Sequence, residues 1–132
     1  MDTIIDRYKK INSNINNLNP KKVVNIVAVS KTFTLEKVMP LIEYGHIHFG
    51  ENKVQEAQAK WSEIKLKKKS LKLHMIGKLQ SNKAKSAALL FDYIHSLDSQ
   101  KLADIFSSFE NNNEKKLKYF IQVNIGNEAQ KS

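Results

Sequence analysis

Along the chain, apolar positions switch repeatedly between helical spacing and short continuous runs. Ile4, Ile5, Tyr8, Ile11, Ile15 and Leu18 form one stripe at helical spacing, with Pro20 just beyond its end. Val23 to Ser30 follows as a near-continuous β-branched run, the pattern of a parallel strand covered on both faces. Leu35, Val38, Met39 and Ile42 then repeat the helical i, i+3, i+4, i+7 spacing. Pro40 should kink or shorten that helix, and Gly45 is placed to end it. A short strand is predicted over His46 to Gly50. Asn52 is placed to cap the next helix, with Gln55 at the reciprocal capping-box position and Val54, Ala57, Trp61 and Ile64 as its buried face.

The alternation continues to the last residues. A third strand is predicted over Leu71 to Gly77 and a helix from about Ser81, with Ala84, Ala87 and Ala88 inward. A fourth strand covers Phe91 to Leu97. Asp98 or Ser99 caps a helix with Leu102, Ile105, Phe106 and Phe109 on its apolar face. Asn111 to Lys116 reads as a turn, and Leu117 to Ile125 as a fifth strand. The order is α-(βα)×4-β, which calls for a parallel sheet with right-handed crossovers. Two architectures meet that description. A flavodoxin-like open sheet fits the length, whereas a (β/α)₈ barrel takes about 250 residues and would here be represented by its first five strands. Periodicity alone leaves both open.

Composition excludes several classes. The 132 residues are 41% hydrophobic and 27% charged, as in a globular domain, and no apolar run approaches the ~20 residues of a membrane span. The N-terminal Met-Asp-Thr-Ile-Ile-Asp-Arg-Tyr has no secretory signal pattern, so the expected compartment is the cytoplasm. The lack of cysteine removes disulfides, thiolate nucleophiles and cysteine metal sites. A net charge of +9 invites a nucleic-acid reading. Against it, Arg7 is the only arginine, so bidentate recognition of guanine or phosphate is almost absent. The densest cluster (Lys65, Lys67, Lys68 and Lys69) falls in an expected loop. A solvated surface and no specific nucleic-acid partner are expected.

Candidate chemistry gathers at the C-terminal ends of the predicted strands: Lys31, Glu51 and Asn52, Gly77, Ser96 and Asp98, and Asn124. Parallel α/β folds place their sites on that face, open or closed. Capping accounts equally well for Asn52, Ser99 and Asp98. Lys31 follows Val23 to Ser30 directly, and alternation puts it on the face of Val27 and Val29. A lysine there is either one more solvated amine in a lysine-rich chain or a nucleophile that must be partly desolvated to act. Histidine offers another chemistry: His46 and His48 share a face, and His74 and His95 lie on neighbouring strands. Imidazole suits zinc. His46 is distant from the expected site end, however, and no supporting carboxylate motif accompanies the histidines, so no metal site is assigned.

Three segments decide between the architectures: Val-Ser-Lys at the end of Val23 to Lys31, Phe-Gly-Glu-Asn-Lys-Val-Gln-Glu (Phe49 to Glu56), and His-Met-Ile-Gly-Lys-Leu-Gln-Ser-Asn-Lys (His74 to Lys83). Together they resemble the pyridoxal phosphate homeostasis proteins, single-domain relatives of the alanine racemase N-terminal barrel. The resemblance runs from about Val23 to Ser132. It implies that residues 1–132 are one partial alanine-racemase-N-terminal-like domain, an incomplete TIM barrel with an N-terminal helix, its C-terminal part absent.

By the same resemblance, Lys31 carries pyridoxal 5′-phosphate as a Schiff base and Asn52 lies close to it. His74 matches the family's third-strand histidine, and Ser96 joins the candidates from the end of the fourth strand. Gln122 to Ile125 and Gln130 to Ser132 match the fifth strand and its loop. The implied role is buffering of a reactive cofactor rather than catalysis. None of Tyr8, Tyr44, Tyr93 or Tyr119 matches the tyrosine acid–base group of the racemase. The chain departs from the family at Lys78, where a proline is usual. It also departs in reaching only part of the barrel, whose phosphate anchor belongs to the later strands. The expected consequences are weakened cofactor binding, self-association, and a possible complementing C-terminal half supplied in trans.

Overall fold

Five strands pair in sequence order, β1-β2-β3-β4-β5, and every pairing is parallel. The computed structural model describes residues 3–18 and 21–126. The elements are α1 (Ile4–Leu18), β1 (Ala28–Val29), α2 (Leu35–Tyr44), β2 (His48–Glu51), α3 (Val54–Lys67), β3 (Lys72–Met75), a 3₁₀ turn (Ser81–Lys83), α4 (Ala84–Leu90), β4 (Tyr93–Leu97), α5 (Gln100–Asn112) and β5 (Lys118–Ile121). A flavodoxin-like sheet moves its first strand inside the order, giving 2-1-3-4-5. Here β1 is an edge that touches only β2, so the flavodoxin-like alternative is excluded. Strands laid down in strict order, each followed by a helix, make an arc of a (β/α) barrel.

The core lies between the sheet and its helices. Phe49, Leu73, Met75 and Ile94 on the strands are almost fully buried against Ala57 and Trp61 of α3, Ala84, Ala87 and Ala88 of α4, and Leu102 and Phe106 of α5. The alanines let α4 approach the sheet closely. Gly45, at φ +114°, ends α2 with its amide on the Ile42 carbonyl, a backbone conformation that suits glycine. Pro40 is accommodated within α2. Ser99 caps α5 by accepting the Leu102 amide at 3.2 Å.

The opposite, inner face is narrower and more polar. Gly50 lies there because a Cβ would come within 3.2 Å of Val27 and 3.3 Å of Ile76. Its absence lets those two side chains close over β2. Aromatic rings fill the next row: His48, His74, His95 and Phe120 are in successive ring contact, and Tyr93 stacks on His74.

Several expectations are corrected. β1 has two residues rather than eight, and Val23, Val24 and Val29 are exposed, because no second strand flanks it among the described residues. Of the α1 stripe, Ile4, Ile5 and Tyr8 pack against the core and Ile15 is partly buried, whereas Ile11 and Leu18 are exposed. Asn52 does not cap α3. Lys53 occupies the N-cap position and makes no side-chain cap bond. The lysine cluster is only partly a loop: Lys65 and Lys67 belong to the last turn of α3, while Lys68 and Lys69 lie in the connection after it. Lys65 instead reaches Asp92 at 2.8 Å and the Leu90 carbonyl at 2.6 Å. The turn predicted from Asn111 starts after Asn112, and β5 is shorter than expected, ending at Ile121. Pro20 and Gln130 to Ser132 lie outside the described residues.

Candidate functional site

Lys31 stands in the turn that leaves β1 at the C-terminal edge of the sheet, with an exposed side chain. Desolvation was expected for this amine, and the chain alone does not supply it. Its neighbours are fixed instead. The Ser30 amide donates to the Gly50 carbonyl at 3.0 Å, and the Ser30 hydroxyl donates to Glu51 Oε2 at 2.6 Å. Glu51 is completely buried on the helix side of β2. Its Oε2 also accepts the Trp61 indole N–H at 2.9 Å and the Lys60 ammonium at 2.8 Å. Lys60 donates a further bond to the Ser30 carbonyl at 2.6 Å. The Val-Ser-Lys and Phe-Gly-Glu-Asn segments are thus joined by a buried, charge-assisted network. Burying a carboxylate and an ammonium is tolerable only because each has partners.

Asn52 follows β2 directly and is half-buried. The chain after β3 passes over it so closely that a Cβ on Gly77 would fall 2.6 Å from the Asn52 carbonyl oxygen. Glycine in the Ile-Gly segment is therefore a packing requirement of Asn52. A cleft lined by Asn52, Glu56, Gly77, Lys78, Gln80 and Lys83 opens on this edge.

His74 is buried on the inner face and stacks on Tyr93, with ring centroids 4.1 Å apart and planes 4° from parallel. Its two nitrogens meet His48 Nδ1 at 2.9 Å and His95 Nε2 at 2.8 Å. In each pair one ring must be the donor and the other the acceptor, so a neutral row is satisfied by a single direction of tautomers. Burial first, then the neighbouring His95 and His48, lowers the His74 pKa to about 4. Burial lowers His48 and His95 as well. The nitrogens face each other rather than a common point. Among the described residues no group of three His, Cys, Asp or Glu could hold a metal ion. His46 precedes β2, and its Nδ1 pairs with the Tyr8 hydroxyl at 3.0 Å, away from Lys31's edge.

Ser96 lies where the β4–β5 register shifts, between Ile94 and Leu97. Its hydroxyl is buried and has no hydrogen-bond partner among the described residues. Asp98 is exposed beyond β4, and Asn124 accepts the Gly126 amide at 3.2 Å in a local turn. The strand ends thus bring Lys31, Glu51, Asn52 and Gly77 together, with the histidine row along the same sheet. The sequence reading did not find the roles of Ser30, Glu56 and Lys60. One signal was available: Lys60 stands in the α3 stripe between Ala57 and Trp61, where a lysine needs a buried partner.

No helix among the described residues is long and apolar enough to cross a membrane. Residues 5–129 match the family model of the alanine racemase N-terminal domain. A pyridoxal phosphate homeostasis protein of Pasteurella multocida is 40% identical over 86% of this chain, which covers 48% of that protein. One from Buchnera aphidicola subsp. Baizongia pistaciae is 35% identical over 95% of the chain, which covers 56% of it. The structure of PipY from Synechococcus elongatus PCC7942 with PLP bound superposes with a TM-score of 0.75 at 36% identity, over 90% of this chain and 57% of PipY. The chain spans about half the length of the curated relatives it matches. From its in-order parallel strands and this match across nearly its whole length, the chain belongs to the alanine racemase N-terminal domain family.

Proposed function

We propose that this chain contributes the lysine-bearing part of a pyridoxal 5′-phosphate-binding protein, with Lys31 as the amine that forms the Schiff base. The observation that carries the reading is the position of Lys31. It is an accessible amine on an anchored turn at the site edge of a parallel sheet, in a chain similar to PLP-bound PipY. The unprotonated Lys31 amine adds to the aldehyde carbon, and a C=N bond replaces C=O. The oxygen departs as water with the two amine protons, and nothing is oxidised or reduced.

The residues fit the aldehyde end of the group. Asn52 lines the cleft with Glu56 and Gly77, His74 stacks on Tyr93 along the inner face of the same sheet, and the buried Ser96 hydroxyl has unused bonding capacity. They do not supply the phosphate end. Gly50 and Gly77 are taken up by close packing, Gly45 ends α2, and Gly126 lies past β5, so the described residues hold no glycine-rich cradle. The later strands of the fold, whether continuous with these residues or offered in trans, complete the site. The role is binding and homeostasis in the cytoplasm rather than turnover, a reading supported by similarity to the pyridoxal phosphate homeostasis proteins.

The test is to mix the chain with pyridoxal phosphate, alone and with the C-terminal half of a relative, reduce with borohydride and map the modified peptide. Modification concentrated at Lys31, increased by the added half and lost in Lys31→Ala, is expected. Label spread evenly over the lysines in both mixtures would overturn the assignment.

A further inference from the structure

The turn that carries Lys31 is held in a conformation its own sequence disfavours. Thr32 has φ +67°, the sole positive φ at a non-glycine residue among those described. A β-branched residue in the left-handed region is an outlier that persists only when its surroundings over-determine it. Three contacts do so. The Thr32 amide donates to Glu56 Oε1 at 2.8 Å, the Phe33 amide donates to the Ser30 carbonyl at 3.2 Å, and Lys60 holds the same carbonyl from the other side. Glu56 itself is held 3.7 Å from Lys60, one helical turn on. The residues on both sides of Lys31 are thereby clamped to α3, while the Lys31 side chain is left free to act.

We propose that Glu56 is a positioning residue for Lys31: by accepting the Thr32 amide it keeps Thr32 left-handed and so aims the Lys31 amine across the strand ends. The inference rests on the reading of Lys31 as the aldehyde-binding amine. Without Glu56, Thr32 relaxes to a negative φ, the turn opens, and Lys31 becomes one more mobile surface amine. Glu56 is in the first turn of α3 with a side chain one-third exposed, so its replacement leaves the core intact.

The experiment uses the whole chain with limiting pyridoxal 5′-phosphate and borohydride. It reads the share of label at Lys31 relative to the other lysines, together with hydrogen exchange of the Thr32 amide. Glu56→Ala should lower the Lys31 share about fivefold, the equilibrium equivalent of one ordinary hydrogen bond, and should unprotect the Thr32 amide. Glu56→Gln keeps an accepting oxygen and should retain most of the selectivity. Thr32→Gly added to Glu56→Ala should restore it, because glycine enters the left-handed region freely. A purely structural role for Glu56 in α3 would not be rescued at position 32. Selective labelling of Lys31 in the parent that Glu56→Ala leaves unchanged would overturn this inference and spare the Lys31 reading. A parent in which Lys31 is labelled no more than other lysines, both alone and with the C-terminal half of a relative added, would overturn both.

Discussion

Gly77 and Asn52 are in backbone contact: a methyl group at position 77 would meet the Asn52 carbonyl oxygen at 2.6 Å and its Cβ at 2.7 Å. Neither obstacle is the far end of a flexible side chain, so the chain after β3 must move. Gly77→Ala is expected to destabilise the fold by about 2 kcal/mol, as overpacking does, and to displace Asn52. Urea denaturation together with the amide chemical shift of Asn52 checks both. An unchanged midpoint would mean that the contact relaxes freely.

Glu51 and Lys60 form a buried pair that also holds Ser30 and Trp61. Lys60→Met leaves a buried carboxylate with two neutral donors and should cost about 3 kcal/mol. Glu51→Gln removes the buried countercharge, leaving the ammonium the Ser30 carbonyl and the more distant Glu56, and should cost a similar amount. Combined, the two replacements should cost at least about 1 kcal/mol less than their sum, because each removes the other's lost partner. Additive losses in equilibrium unfolding would show that the two side chains stabilise the fold independently.

The histidine row makes stability depend on acidity. In the unfolded chain His74 takes up its proton near the ordinary value of 6.5, whereas in the fold it does so only at about 4. Between those values the unfolded state binds more protons, so stability is full above about pH 6.5 and falls as the pH approaches 4. The loss assigned to His74 is on the order of 3 kcal/mol. His74→Gln should flatten that part of the profile. Denaturant titrations at several pH values from 7.5 to 4.5 read the difference between parent and variant, and parallel profiles would contradict the assignment.

β5 and the segment after it leave apolar side chains in water: Phe120 is 53% exposed, Ile121 76% and, just past the strand, Val123 70%. As an edge strand among the described residues it also presents unpaired amides and carbonyls. The chain by itself should therefore self-associate as its concentration rises. Ile121→Lys should shift it toward monomer with its circular dichroism retained. Sedimentation of the parent as a monomer at every concentration would refute this.

Helix faces were the most legible part of the sequence. Ala57 and Trp61, then Ala84, Ala87 and Ala88, then Leu102, Phe106 and Phe109 are buried where their spacing put them. Strand lengths were less legible, because a β-branched run such as Val23 to Ser30 records propensity, whereas a strand requires a neighbour to pair with. β1 finds one only over Ala28 and Val29. Strand order was invisible to periodicity and came from motif resemblance. At the site, position along the strands put Lys31, Glu51 and Asn52 at one edge of the sheet. The partner of Glu51 lies nine residues away on the following helix, and the partner of the Thr32 amide 24 residues away. Distances of that kind follow only from how α3 docks. The left-handed Thr32 carried no signal at all, since nothing in Ser-Lys-Thr-Phe marks a turn that other elements impose.

The in-order sheet has a consequence for assembly. Each strand pairs with the one laid down just before it, so every long-range contact of the sheet spans a single βα unit: Ala28 to Phe49, Phe49 to Leu73, His74 to Tyr93, Tyr93 to Lys118. Loop closure for each step is short and of similar entropy, and no strand has to wait for a distant segment before it can dock. Growth of such a sheet is stepwise, with the most recent strand serving as the template for the next. A fold built this way can be divided between two polypeptides at any βα boundary without rerouting a connection, because every joint falls between strands that are neighbours both in sequence and in the sheet.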